Sequence, residues 1–586
     1  MNYLRPYAPP LDVTIVAAWD FQIAETPWLA QSAAAQSADL FPRFATCYAQ
    51  LRALPRGARR ALQRRLASSQ DLAAIPPEWR QKLARSVAGA ALLLALGQGV
   101  AQAATITVNT NIPKILADGK CSLVEAIINA NNDALTHPDC AAGSGADTIV
   151  LPAASVHTVL NDYDFTYGAT RLPAITSQIT IEGNGSKITR KKSKVQSRLM
   201  AVTTTGDLTL KNVTLSGGQH SYGGALFNYG GLMINESTIT GNSAVTGGAV
   251  ANGAGAGLVI EDSLFSKNTA VTGGGIFNYK GDVTVRNSSL TGHKTIFSGG
   301  GLYDVSGTVT IESVIIDGNK AGAGGAIYAK GSLLDVNSSM ISGNSAGSHG
   351  GGIWIASTLG GSATVTIANS TVAGNKAHYS SAGILHQNFG GTLTIQNSAV
   401  LGNTASAGGG GIEQTSGTMT IENSTISGNR GGSEGAGIWN QNTATIRNST
   451  ISGNTSKRSG GVRNSGQLTL DRNLISGNKA AVGREIYSYT SGTVVADNFN
   501  LFGNNGSAGV VGFLPGATDI VPGAGVLISN ILAPLANNGG PTQTHALVAG
   551  SPAIDASPAD ADCPSTDQRG TLRPQGPLCD IGAFEK

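Results

Sequence analysis

With 586 residues, 13% of them charged and a net charge of +3, the chain is long enough to bury a large core in more than one domain. The first 103 residues hold 11 of the 39 Lys+Arg and 6 of the 36 Asp+Glu, leaving a nearly neutral remainder of 28 basic and 30 acidic residues without the basic stripe of a nucleic-acid binder. Glycine numbers 79, yet a hydrophobic fraction of 41% spread in register argues against a disordered chain.

Residues 1–79 read as a leader of uncertain status, with a basic run of Arg56, Arg59, Arg60, Arg64 and Arg65. The run suits anionic lipid headgroups if the leader is an extended signal; otherwise the leader is simply discarded, or the start codon lies further on. Arg80, Lys82 and Arg85 then precede an apolar stretch at 87–96 and the sequence Ala101-Gln102-Ala103. These are the basic, apolar and A-x-A parts of a signal peptide over 80–103, with cleavage expected after Ala103. The apolar stretch is too short for a stable bilayer span, so no transmembrane segment is expected in a mature chain that is secreted, extracellular or at the cell surface.

Of five cysteines, Cys47 falls in the leader, and the others form two local pairs, Cys121 with Cys140 and Cys563 with Cys579. One disulfide at each end of the body is expected in an oxidising compartment, each worth about 3 kcal/mol in the chain-entropy model. A four-cysteine metal site is the alternative, against which neither pair has C-x2-C spacing.

Residues 104–180 are expected to form an N-terminal cap and the first coils, with a short helix at 123–131. Residues 181–515 repeat a unit of the form G-G-G-I-x-N followed by T-I-x-N-S-T-I-S-G-N. Aligning the last residue of each unit gives Gly218, Asn242, Asn268, His293, Asn319, Asn344, Asn375, Asn403, Asn429, Asn454, Asn478 and Asn504, a mean spacing of 26. A fixed period of this size means a solenoid. Short β-branched runs with period-2 alternation make its elements strands. The fold expected is all-β: a right-handed parallel β-helix of about a dozen or more coils at ~4.8 Å each. Residues 516–586 are expected to cap its C-terminal end, since an open end exposes strand edges and core.

Columns of aligned residues follow from the period. Glu261, Arg286 and Glu312, and again Glu422, Arg447 and Asp471, alternate in sign as surface ladders worth under about 1 kcal/mol per pair. Asn369, Asn397, Asn423 and Asn448 form a column whose stacked side chains are expected to hydrogen-bond from coil to coil and to satisfy turn backbone, and Ser370, Ser398, Ser424 and Ser449 form the next column.

The segment Cys121-Ser-Leu-Val-Glu-Ala-Ile127, with Asn129-Ala-Asn131 and Gly145-Ala-Asp-Thr-Ile149, resembles the start of CSLREA-domain proteins, Val124 standing where that family has Arg. Asn537-Asn-Gly-Gly-Pro-Thr-Gln-Thr-His545, Gly550-Ser-Pro-Ala-Ile-Asp555, Asp567-Gln-Arg-Gly570 and Cys579-Asp-Ile-Gly-Ala-Phe-Glu585 resemble the choice-of-anchor Q domain. The repeats are similar to those of polymorphic outer-membrane proteins. These resemblances span roughly 104–586 and imply an exported β-helix surface protein without a fixed chemistry.

Glycoside cleavage needs carboxylates gathered in space. Asp304, Asp317, Glu413 and Glu434 are scattered singly, and the basic cluster Arg190, Lys191, Lys192 and Lys194 has no acids stacked beside it. Asp560, Asp562, Asp567, Asp580 and Glu585 are a candidate structural calcium set or solvated cap loops; no other cofactor is expected.

One column stands out: Phe227, Ala251, Phe277, Tyr303, Tyr328, Trp354, Leu385, Glu413, Trp439, Arg463. Its aromatics, Phe277, Tyr303, Tyr328, Trp354 and Trp439, are candidate contacts for polysaccharide or a surface protein, as an exposed strip of flat rings. The competing reading is that the rings stack to stabilise the sheet or lie under a loop. The function expected is a non-catalytic β-helix for adhesion, extracellular matrix or surface structure that grips polysaccharide. The alternative is a polysaccharide lyase or glycoside hydrolase of the pectin-lyase-like type.

Overall fold

The computed structural model describes residues 103–191, 194–357 and 361–586, together with residues 48, 51, 83 and 90. The chain divides into Met1–Ala103 and Ala104–Lys586. Apart from those four positions and Ala103, the leader and signal peptide lie outside the described residues, as does Lys192.

The second unit is the expected parallel β-solenoid, of about 13 turns. Through most of the repeats each coil has four sides. In one coil these are Ile276–Tyr279, Asp282–Arg286, Ser289–Thr291 and Lys294–Thr295. Each side pairs in parallel with the same side of the next coil, with Ile276 opposite Leu302, Asp282 opposite Thr308, Ser289 opposite Ile315 and Lys294 opposite Lys320. Alternation then sorts the side chains. Val283, Val285 and Leu290 are fully buried, and so are Val309, Ile311 and Ile316 one coil on. Like residues stack on like, as in Ile395, Ile421 and Ile446. Each such side chain contributes ~1.5–3 kcal/mol by leaving water.

The two asparagine columns have different jobs from those expected. Asn369, Asn397, Asn423 and Asn448 sit at the corner between the second and third sides with φ of 46–50°. They are there for the left-handed backbone, which asparagine adopts more cheaply than most residues. Of the expected coil-to-coil bonds this column makes one, from Asn369 Nδ2 to Asn337 Oδ1 at 3.1 Å. The hydrogen-bonded stack is instead the column that ends each unit. Asn375 Nδ2 donates to Asn403 Oδ1, Asn403 to Asn429, and Asn429 to Asn454, at 2.9–3.0 Å, all inside the solenoid. Asn504 leaves that stack and donates to Ser476 Oγ at 3.4 Å. The serine column also bonds from coil to coil: the N–H of Ser370 donates to Ser398 Oγ, and that of Ser398 to Ser424 Oγ, both at 3.1 Å.

Leu123–Asn132 is helical and opens with a capping box between Ser122 and Glu125. Its buried residues join Ile106 and Ile149 in one core with the coils, and Cys121–Cys140 bonds beside it. At the other end Phe513 packs edge-on against Phe502, with ring centroids 5.8 Å apart.

Residues 531–586, expected over the C-terminal end, lie along the flank. The hairpin of Leu532–Ala536 and Thr544–Leu547 and the loops after it cover the third side of the later coils. His545 Nε2 meets Ser427 Oγ at 2.9 Å, Thr425 Oγ1 donates to Gln568 at 2.6 Å, and Thr450 Oγ1 accepts from the N–H of Ala583 at 3.0 Å. Leu474, Leu501, Ile531, Leu532, Leu547, Ile581 and Phe584 make a second core there. That side offers the segment Leu474 and Leu501 to pack on and a row of hydroxyls from Thr425, Ser427 and Thr450 to bond. Cys563–Cys579 closes its last loop.

The acidic residues of this segment are taken up by arginines and backbone N–H groups, Asp562 lying 4.0 Å from the same Arg472 that Asp560 meets. Asp560 meets Arg472 at 2.7 Å, Asp567 meets Arg569 at 2.7 Å, and Glu585 meets Arg573 at 3.4 Å. Asp580 accepts the backbone N–H groups of Asp555 and Lys586. Among the described residues no three His, Cys, Asp or Glu side chains gather as a metal-binding set.

Candidate functional site

The aromatic column lies in register on the first side: Phe277 opposite Tyr303, Tyr303 opposite Tyr328, Tyr328 opposite Trp354. A glycine at the corner before each ring permits the tight entry. At Gly350 (φ +64°) a β-carbon would lie 2.8 Å from Trp354 Cβ.

The rings are half-buried, and their orientation differs from a strip of outward flat faces. Phe277 and Tyr303 stack at 5.5 Å and 10°, and Tyr303 and Tyr328 at 4.9 Å and 2°. Stacking along the solenoid axis turns the faces toward one another and leaves the edges outward. Burial, with Tyr303 beside it, pushes the Tyr328 phenol up to about 12. Trp354 breaks the stack, its plane 64° from that of Tyr328.

Beyond Trp354 the wall opens into a cleft of about 320 Å³, lined by His349, Trp354, Ser380, Leu385, Gln387, Glu413 and Thr415. His349 Nδ1 lies 2.9 Å from Ser380 Oγ, and its ring stands edge-on to Trp354 at 5.7 Å. Glu413 is buried to 5% exposure; it accepts from Ser381 Oγ at 2.9 Å and Gln441 Nε2 at 3.5 Å. It forms no ion pair among the described residues. The column had marked Trp354, Leu385 and Glu413, but His349, Ser380, Gln387 and Thr415 were missed. A signal was present: Asn344 to Asn375 and Asn375 to Asn403, at 31 and 28 residues, are the two longest steps of the repeat. In the second of these coils the strand Ile384–Gln396 shifts register against the next coil around Gln387.

The coils under the cleft also hold unpaired polar atoms. His386 is fully buried with no partner on either ring nitrogen, and Gln414 Oε1 beside it in the column has none. Burial pulls His386 down to about 4.

Trp439 lies past the cleft with the Arg463 guanidinium 4.0 Å from its ring centre. Arg463 is held at 2.6 Å by Glu434, which also accepts from the Tyr489 hydroxyl at 2.9 Å. One face of Trp439 is thus occupied, and the Glu434 charge is matched.

The fold and its ladders define a parallel β-solenoid with a side-wall cleft. The family described as "right handed beta helix region" matches residues 198–361 and 358–514, more than half of the sequence, and the chain belongs to that family. No curated protein matches it.

Proposed function

We propose that this is a secreted or cell-surface β-helix that holds polysaccharide without cutting it, in adhesion, extracellular matrix or surface structure. The observation behind this reading is that the aromatic column ends on Trp354, the ring that turns out of the stack, in the wall of a cleft that also carries Glu413 and His349. An apolar ring with a few convergent polar groups is what a sugar site requires. Glycoside cleavage ordinarily uses two carboxylates. Among the described residues Glu413 is the one carboxylate lining the cleft, and Glu434 is tied to Arg463. The two disulfides favour an oxidising compartment, and the resemblance to CSLREA and choice-of-anchor Q proteins supports a surface location.

A glycan array on the full chain, with mass spectrometry of the bound glycan, tests this. The expected result is binding without product, weakened at least about tenfold in Trp354→Ala, a hot-spot-sized loss. Cleaved product would favour the lyase or hydrolase reading. Full binding by Trp354→Ala combined with Tyr328→Ala would remove the aromatic column from the site.

A further inference from the structure

Glu413 is an unusual group to line a sugar cleft in this chain. Elsewhere in the solenoid Glu261 and Glu312 are paired with Arg286 of the same column at 3.4 and 3.1 Å, and Asp471 with Arg447 at 3.9 Å. Glu413 faces Leu385 on one side and Trp439 on the other. The cation next along the column, Arg463, is taken by Glu434 at 2.6 Å. What holds Glu413 is neutral: the Ser381 hydroxyl and the Gln441 amide. The side chain is therefore a buried charge with acceptor capacity left over, opening on a cleft of about 320 Å³.

Such a charge is costly until a donor or a cation meets it. A uronate would bring a second negative charge to Glu413. A neutral hydroxyl would donate one hydrogen bond. An ammonium would donate and neutralise, and would also sit well against the face of Trp354 in the same wall.

We infer that the cleft selects an amino-sugar glycan, with the ammonium of a hexosamine on Glu413 and its ring against Trp354. This rests on the glycan-holding reading and names the sugar class for the same site.

Isothermal titration of the full chain with three probes tests it: an oligomer of glucosamine, its fully N-acetylated counterpart and an oligogalacturonate. Mildly acidic buffer keeps the free amines protonated. The glucosamine oligomer should bind at least about tenfold more tightly than the acetylated one, the difference expected of one charge-assisted contact. The uronate should not bind measurably. Glu413→Gln, which keeps the shape and loses the charge, should bring the first two probes to equal affinity. Equal or tighter binding of the acetylated oligomer or the uronate by the unaltered chain would overturn the amino-sugar assignment and leave glycan holding intact. Binding of none of the probes, with an empty glycan array, would remove the glycan reading itself and this inference with it.

Discussion

Glu485 ends the buried asparagine stack: its Oε2 accepts from Asn478 Nδ2 at 2.6 Å, the place that Asn478 Oδ1 takes for Asn454 one coil below. The backbone N–H of Gly477 donates to the other carboxylate oxygen at 3.1 Å. Burial nevertheless outweighs these donors and pushes Glu485 up from 4.5 to about 7. The fold thus keeps a proton that the unfolded chain releases near 4.5. Stability from this group is full below pH 4.5 and is lost as pH rises toward 7, on the order of 2–3 kcal/mol. Glu485→Gln keeps an acceptor for Asn478 without the titration. Its melting temperature, followed by calorimetry from pH 4 to 8, should lose less on the alkaline side than that of the unaltered chain.

The interior asparagines and the corner asparagines should respond to substitution to different extents. Asn429→Ala removes the acceptor of both the N–H and the Nδ2 of Asn403 and leaves the Val400 carbonyl without its donor. Orphaning buried groups costs ~1–3 kcal/mol each, so a loss of several kcal/mol is expected in denaturant unfolding. Asn397→Gly, at a corner φ of 49°, should stay within about 0.5 kcal/mol, while Asn397→Ala should cost ~1–2 kcal/mol. Equal losses at 397 and 429 would refute the division of labour.

The register of the solenoid was legible because a period near 26 and strict alternation fix which residue meets which. The pairings Glu261 with Arg286 and Tyr303 with Tyr328 fall where the aligned columns put them. What the columns do not carry is direction. Ring planes depend on side-chain torsions, so the stacking of Phe277, Tyr303 and Tyr328 face to face was not readable. Nor was the difference between an asparagine that turns the backbone and one that bonds inside, since both stand just past the end of a short strand. The cleft was partly legible: Trp354, Leu385 and Glu413 were already in one column, but a mean spacing of 26 hides the two long steps around them. The flank docking of 531–586 depends on contacts such as Gln568 with Thr425, 143 residues apart, which no local pattern announces.

His386 makes the acid side of the stability profile steep. The fold holds its imidazole neutral down to about 4, because burial leaves both nitrogens unpartnered, while the unfolded chain protonates near 6.5. Stability from this site is therefore whole above pH 6.5 and falls as pH drops toward 4, on the order of 2–3 kcal/mol. His386→Leu should remove that loss. Thermal melts at pH 7 and pH 4.5 check it: a mutant that loses as much on acidification as the unaltered chain would clear His386 of the effect.

Ion pairs should differ by where they stand. Arg286 is 45% exposed between Glu261 and Glu312, and Arg286→Met should cost under about 1 kcal/mol. Arg573 is buried against Glu585 at 3.4 Å and donates to the carbonyls of Asp580 and Gly582. Arg573→Met leaves a buried carboxylate without its cation, and ~3–5 kcal/mol is expected. Parallel urea titrations of the two variants compare them directly.

The flank segment gives the last test. Along the third side, Ala399, Thr425 and Thr450 are at most 1% exposed, while earlier positions of the same row, Leu264, Ile315 and Met340, are 40–47% exposed. The segment therefore stops partway along a continuous face, and Pro541 lies at the edge beside Ile315 and Met340. Deleting residues 531–586 would uncover Leu474 and Leu501 of the second core and join the bared coils to that exposed row. The parallel ladders do not depend on the segment, so far-UV circular dichroism should keep its strand signal. Long apolar faces promote association, so light scattering should show concentration-dependent association and apolar-dye fluorescence should rise. A truncated chain that stays monomeric, binds no dye and melts at the original temperature would mean that the flank contacts contribute nothing to holding the coils.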